Sequence, residues 1–91
     1  MQEILYKVPG GKLLRIFLEQ ADGQIRTVKI TGDFFAHPEE HLVELEKALQ
    51  GATLEEKALQ ERIENFLHEH PTEIYGFTVT DLVTILTNAR N

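Results

Sequence analysis

Residues 12–31, KLLRIFLEQADGQIRTVKIT, decide the fold of this 91-residue chain. Apolar residues alternate with polar ones in both halves of the stretch, which is the period of a β-strand with one buried face. The sequence Ala21-Asp22-Gly23 separates the halves and is a turn signal, because Asp and Gly favour the backbone angles of tight turns. The stretch therefore predicts a β-hairpin with strands at residues 12–20 and 24–32.

The apolar pattern also selects a register for this hairpin. A three-residue loop over residues 22–24 places Leu18 opposite Val28 and Ile16 opposite Ile30, so that one face is apolar. A loop one residue shorter mixes the two faces, and a one-residue slip sends every side chain to the wrong side. We therefore expect the three-residue loop, with its glycine in the left-handed conformation and forming a bulge.

The segment before the hairpin predicts a third strand. Ile4, Tyr6 and Val8 lie on one face by the same period of two, and the break at Pro9-Gly10-Gly11 ends the run. Pro and Gly together interrupt regular structure because one fixes φ and the other leaves it free. We place this strand at residues 3–8.

The rest of the chain has the apolar spacing of amphipathic helices. Pro38 suits the first position of a helix. Thr53 and Glu56 have the spacing of a capping box, in which each side chain reaches a backbone N–H of the other. Thr78 or Thr80 can open the last helix. The helices are expected at residues 38–50, 54–69 and 78–89.

Strands followed by helices predict an α+β fold of two layers. We expect a three-stranded antiparallel sheet with the three helices packed on one face. No internal repeat or linker interrupts the sequence, so residues 1–91 are expected to form one domain.

Composition excludes several kinds of chemistry. The chain has no Cys, so it holds no thiol nucleophile, disulfide or thiolate metal site. Its 9 Lys+Arg against 15 Asp+Glu, a net charge of −6, argue against nucleic-acid binding. With no long apolar run and no signal-peptide pattern, we expect no membrane association and a cytoplasmic protein. Residues 1–36 carry a net charge of +1 and residues 37–91 carry −7, so a partner or an anionic substrate is expected to approach the front.

Histidines give weak signals for a metal site. Residues 37–41, HPEEH, match the spacing of an inverted zinc-protease motif, but the proline and the position at a helix start favour ordinary first-turn charges. A metal-dependent hydrolase is the hypothesis that this motif would support. His68 and His70 do not share one helix face, and we expect both to be exposed. We predict no metal site.

Two segments have both a structural and a functional interpretation. Pro9-Gly10-Gly11-Lys12 is either a tight turn between strands or a place where another molecule approaches the backbone beside a cation. Asp33-Phe34-Phe35 carries two adjacent aromatic residues that cannot both enter one core from a regular element. Either one of them is exposed at an interface or a wide turn buries both.

Several segments follow one another in an order that is specific as a set. They are GGKL at 10–13, DG at 22–23, VKITGDFF at 28–35, ALQG at 48–51 and GFTVTDLV at 76–83. This set resembles the C-terminal accessory domain of lipoate–protein ligases over nearly the whole chain. The most specific piece is the strand ending in G-D-F-F, followed at once by an acidic helix that ends in L-x-G.

The resemblance implies that a catalytic domain and a small accessory domain have different roles in the reaction. In that family a large catalytic domain binds lipoate and ATP, forms lipoyl-adenylate, and passes the lipoyl group to a lysine of an acceptor protein. The small domain covers the active site during adenylation and moves away for transfer. This chain begins with its own Met and has no room for the catalytic domain, so we expect a non-catalytic accessory subunit in a heterodimer with a catalytic subunit.

The resemblance also implies where the ligands and contacts lie. ATP, Mg²⁺ and lipoate are expected on the catalytic subunit, no catalytic residue is expected on this chain, and contact with lipoyl-acceptor proteins is expected to be indirect. The residues expected to face the partner or the adenylate are Gly10, Gly11, Lys12, Asp33, Phe34 and Phe35. The alternative is a small protein-interaction module unrelated to lipoate.

Overall fold

The structure, a computed structural model, describes residues 1–89 and has the predicted α+β architecture. Every predicted boundary lies within two residues of the observed one. The three-stranded antiparallel sheet has the order β1-β2-β3. Its strands are β1 (Gln2–Lys7), β2 (Leu13–Ala21) and β3 (Gln24–Gly32), and the helices are α1 (Glu40–Ala48), α2 (Glu56–Glu69) and α3 (Val79–Asn88).

The register of the hairpin follows its apolar pattern. Leu18 pairs with Val28 and Ile16 pairs with Ile30, which confirms the prediction. All four side chains are buried, and those of Ile16 and Leu18 have no exposed surface. The core face of the sheet is therefore set by sequence periodicity.

The predicted three-residue loop is wrong. The hairpin closes with two residues, Asp22 and Gly23, whose φ angles are 56° and 74°. Positive φ at both central positions gives a turn whose twist matches that of the flanking strands. The extra residue is Arg26, which forms a bulge in β3 between Ile25 and Thr27. Because the bulge shifts the alternation by one residue, Ile25 and Val28 are both buried.

The helices cover the inner face of the sheet and close the core. One continuous cluster joins the sheet to all three helices. Burying each large aliphatic side chain contributes about 1.5–3 kcal/mol of transfer free energy. The helical members are Leu45, Leu59, Ile63, Phe66, Leu82, Val83, Ile85 and Leu86. Within residues 1–89, no helix is both long enough and apolar enough to cross a membrane.

Helix starts differ from the predictions in two places. Glu55 is the N-cap of α2 and makes no side-chain cap hydrogen bond, so the predicted capping box of Thr53 and Glu56 is wrong. Thr53 instead forms a β-bridge with Gln24. Pro38 lies before α1 rather than at its first position.

A capping box is present at α3, where Thr78, one of the two predicted openers, is the N-cap. The Thr78 hydroxyl accepts from the Asp81 backbone N–H at 3.1 Å. The Asp81 carboxylate in turn accepts from the Thr78 backbone N–H at 2.8 Å.

A second, two-stranded sheet has no counterpart in the sequence prediction. It pairs β4 (Phe35–His37) with β5 (Glu73–Tyr75), antiparallel. Strands of three residues are too short to show a period of two. This small sheet matters because it joins the segment after β3 to the segment before α3.

Candidate functional site

The turn between β1 and β2 presents Lys12 to solvent. The Gly11 N–H donates to the Val8 carbonyl at 3.0 Å, and the Val8 N–H donates to the Lys12 carbonyl at 2.7 Å. Gly10 and Gly11 have φ angles of 101° and 129°, which L side chains rarely adopt. The Lys12 side chain is exposed and makes no salt bridge with any residue in the range 1–89.

The segment after β3, residues 33–35, is held beside this turn by a backbone hydrogen bond. The Asp33 N–H donates to the Leu13 carbonyl at 2.9 Å, which places the start of the segment next to Lys12. The ring of Phe34 meets that of Phe77 edge-on, with centroids 5.1 Å apart. The side chain of Phe35 is 63% exposed. Of the two adjacent aromatic residues, Phe34 therefore packs against the core and Phe35 is exposed.

The small sheet adds a second exposed aromatic residue, which the sequence reasoning missed. Tyr75 pairs with Phe35 across β4 and β5, and their ring centroids lie 6.5 Å apart. The Tyr75 side chain is 59% exposed. Its only signal in the sequence is the short alternation Glu73-Ile74-Tyr75 before Gly76, and three residues are too few to predict a strand.

Two open clefts meet at Lys12. The first lies between the β1–β2 turn and the start of α3, and its lining includes Gly10, Lys12 and Asp81. The second is lined by Lys12, Gly32, Asp33, Phe34, Phe35, Tyr75 and Gly76. Five of the six predicted site residues thus lie around these clefts, while Gly11 lines neither. We call the surface formed by Gly10, Lys12, Asp33, Phe35 and Tyr75 the Lys12 face.

The charges around Lys12 are mixed. Asp33 lines one of its clefts and Asp81 lines the other. The Asp81 carboxylate is occupied by the cap of α3, where it accepts from the N–H and hydroxyl of Thr78. Lys12 therefore supplies a single cation between carboxylates. One cation among carboxylates can attract a single anionic group, but it does not make a broad phosphate-binding surface.

The Tyr75 hydroxyl donates to the Glu73 carboxylate at 2.7 Å. This hydrogen bond, together with the negative charge of Glu73, raises the pKa of Tyr75 above its usual value. The hydrogen bond fixes the direction of the hydroxyl at the edge of the Lys12 face.

Replacing Glu73 with Gln is expected to lower the pKa of Tyr75, because the charge that opposes phenolate formation is removed. Since the folded pKa exceeds the unfolded one, the wild-type interaction stabilises the fold below pH of about 10 and is lost as the pH rises through the folded pKa. Phenolate absorbance in a Tyr6→Phe background, where Tyr75 is the remaining tyrosine, measures the shift. An unchanged midpoint in Glu73→Gln would contradict this assignment.

The HPEEH motif is split between two elements. His37 lies in β4 opposite Glu73, and His41 lies in α1 with its Nδ1 atom 2.9 Å from the Thr72 hydroxyl. That hydroxyl donates to the His70 carbonyl, so the Nδ1 atom of His41 carries the hydrogen of their contact. Among residues 1–89, no group of three or more His, Asp or Glu side chains is arranged to hold a metal ion.

The expectation that His70 is exposed is wrong. Its ring stacks on Phe66 at 4.4 Å and meets His41 edge-on at 5.6 Å, so it is half-buried. His68 is exposed, as expected. The reason is that α2 ends at Glu69, which frees His70 to fold back over the last turn.

Comparison with known proteins identifies the family. The family model described as bacterial lipoate protein ligase C-terminus matches residues 6–86, so the chain belongs to that family and is a lipoate protein ligase component. This confirms the resemblance seen in the sequence. No curated protein matches the chain.

A solved structure shares the fold. It comes from an archaeal lipoylation system of Thermoplasma acidophilum, described as a bi-partite lipoate protein ligase and its E2 lipoyl domain. The similarity covers 93% of this chain and 97% of that chain, with a TM-score of 0.74 and 24% sequence identity. The two chains are therefore of similar length and architecture.

Proposed function

We propose that this chain is the accessory chain of a two-chain lipoate protein ligase, acting with a separate catalytic chain in the cytoplasm. In this proposal both chains are required for the ATP-dependent activation of lipoate to lipoyl-adenylate. The lipoyl group then passes to a lysine of an acceptor protein. The observation that carries the proposal is the match of residues 6–86 to the C-terminal part of lipoate protein ligases.

The proposal assigns the reacting groups to the catalytic chain. In the adenylation step the lipoate carboxylate attacks the α-phosphorus of ATP and pyrophosphate leaves, so the chemistry needs ATP, Mg²⁺ and lipoate on one site. This chain has neither Cys nor Ser. Its role would be to cover that site and keep water from the adenylate, which is a reactive mixed anhydride.

The Lys12 face is the surface proposed to meet the catalytic chain. It holds an exposed cation, two exposed aromatic side chains and a glycine turn that allows close backbone approach. The net charge of −7 over residues 37–91 favours turning the helical side away from ATP, because like charges repel.

The direct test mixes this chain with the catalytic chain encoded in the same genome, together with lipoate and ATP. Pyrophosphate release is measured with and without this chain, and transfer is measured separately from preformed lipoyl-adenylate. We expect adenylation to depend on this chain and transfer to proceed without it. Equal adenylation in both mixtures would refute the proposal and favour an interaction module unrelated to lipoate.

Replacing Lys12 with Ala is expected to slow adenylation about tenfold, which corresponds to the loss of one oriented charge contact of about 1.4 kcal/mol. Transfer from preformed lipoyl-adenylate should change little. Lys29→Ala is the matched control, because Lys29 is also an exposed lysine on the sheet but lies on β3, outside the Lys12 face. Equal slowing of both steps by Lys12→Ala would contradict a step-specific role.

A further inference from the structure

The two edge strands of the three-stranded sheet differ in whether their outward backbone groups are hydrogen-bonded to other segments. The edge of β3 is closed by the helical layer, where the Ile30 N–H donates to the Glu46 carboxylate at 2.7 Å. The Ile25 N–H donates to the Ala52 carbonyl at 2.9 Å, and the Gly51 N–H donates to the Ile25 carbonyl at 2.7 Å. These contacts occupy backbone groups that would otherwise be open to another chain.

Among residues 1–89, no segment covers the edge of β1 in this way. Within residues 1–89, β2 is the only strand beside β1, and no other segment makes a backbone hydrogen bond to residues 2–7. The strand is six residues long and contains no proline. Its Leu5 side chain is 57% exposed, and Ile4 and Tyr6 are only partly buried. A regular edge of this kind is a template for a further strand.

The sequence of β1 is complementary to itself. When two copies pair antiparallel about Leu5, Glu3 of each copy lies opposite Lys7 of the other, on the outer face of the sheet. On the inner face the same register places Ile4 opposite Tyr6. Opposite charges and apolar pairs that face each other directly stabilise antiparallel strands.

This register also suits the backbone. The Val8 N–H donates to the Lys12 carbonyl, so even-numbered residues of this segment direct their backbone groups toward β2 and odd-numbered ones direct theirs outward. The proposed register pairs odd-numbered residues with odd-numbered ones, so these outward N–H and carbonyl groups point at each other. The same parity keeps the apolar inner face of one copy continuous with that of the other. Glu3 already lies 3.2 Å from Arg15 on β2, so its carboxylate would sit between two cations.

We propose that two copies of this chain associate through β1 in this register, forming one antiparallel sheet of six strands about a two-fold axis at Leu5. The β1–β2 turns then lie at opposite ends of the sheet, so each copy keeps its own Lys12 face. The pairing involves one short strand per copy, which places the association among weak and concentration-dependent interfaces. It does not rest on the proposed function in lipoate activation.

Sedimentation equilibrium of the full chain over roughly 10 μM to 1 mM tests the association, with a rise from monomer to dimer expected. Lys7→Glu turns both Glu3–Lys7 contacts into like-charge pairs and is expected to weaken the dimer at least about tenfold. The double variant Glu3→Lys with Lys7→Glu restores opposite charges and should restore association. A monomer at every concentration, or a dimer that ignores these changes, would overturn the proposal.

Crosslinking tests the register itself. The chain has no cysteine, so Leu5→Cys introduces a unique thiol at the proposed axis. Directly opposed residues have Cα atoms about 4.5–5.5 Å apart, which is within the range that a disulfide spans. We expect rapid covalent dimer formation on oxidation, and much slower formation by the control Lys29→Cys on the outer face of β3. Equal crosslinking of both variants would show that the contact does not centre on β1.

Discussion

Removing both exposed rings from the Lys12 face, by Phe35→Ala with Tyr75→Ala, is expected to weaken binding of the catalytic chain about 100-fold. The two side chains are 63% and 59% exposed, and their centroids lie 6.5 Å apart. Aromatic rings bury about 150–250 Å² each when covered, and residues of this kind dominate the energetics of protein interfaces. The pair therefore has the size and position of an anchor.

Titration calorimetry with the catalytic chain measures the effect. Val43→Ala is the matched control, because it removes an apolar side chain that is 50% exposed on α1 and lines neither cleft of the Lys12 face. Urea unfolding should show little change for either variant, since none of these side chains belongs to the core. Unchanged affinity in the double aromatic variant would mean that the catalytic chain docks elsewhere.

The contrast between Phe34 and Phe35 shows what the sequence could settle. Their adjacency implied that both could not enter the core from a regular element, but it could not say which one is exposed. In the structure the ring of Phe34 packs at nearly a right angle against that of Phe77, a residue far along the chain, and this contact leaves Phe35 as the exposed one. A contact between segments far apart in the sequence leaves no pattern in the residues next to either of them.

The hairpin also shows what sequence periodicity can and cannot predict. The apolar period predicted the pairing of Ile16 with Ile30, because a buried face tolerates one register. It could not tell a residue added to the loop from a residue added to a strand. The bulge at Arg26 and the two-residue turn give the same pairing as the longer loop would.

The part of the candidate site that the sequence predicted came from the ordered set of motifs that resembles the lipoate–protein ligase family. The structure brings Lys12 and Asp33 together through the hydrogen bond from Asp33 to Leu13. Tyr75 was missed because its position depends on β5, a three-residue strand that α1 and α2 separate in sequence from its partner β4. Sequence reasoning therefore found one side of the Lys12 face and missed the other.

Replacing Gly32 with Ala is expected to destabilise the fold by about 3–5 kcal/mol, a large part of the stability of a small domain. Gly32 has a φ angle of 140° at the end of β3. A Cβ atom there would lie 2.4 Å from the Leu13 carbonyl oxygen and 2.8 Å from the Leu14 Cα atom. Both are backbone atoms of β2, so they cannot move aside as a flexible side chain would.

Gly10→Ala separates this clash from backbone strain. Gly10 also has a positive φ, 101°, but a Cβ atom there would meet nothing within 4 Å. Its cost should be limited to about 1–2 kcal/mol of conformational strain. Urea unfolding of the two variants, compared with the wild type, measures the difference. Equal unfolding midpoints would show that the approach of Gly32 to β2 adds nothing to the strain.

Gly32→Ala also tests how the fold holds the residues of the Lys12 face in place. The carbonyl that the new Cβ atom would strike is the one that accepts the Asp33 N–H at 2.9 Å. Gly32→Ala should therefore release Asp33 and Phe35 from the side of Lys12 even where the core remains folded. At low temperature and without denaturant, we expect adenylation to fall more for Gly32→Ala than for Gly23→Ala, which changes a positive-φ glycine of the β2–β3 turn outside the Lys12 face. Loss of activity in proportion to the unfolded fraction alone would instead mean that the position of Asp33 does not matter for the partner.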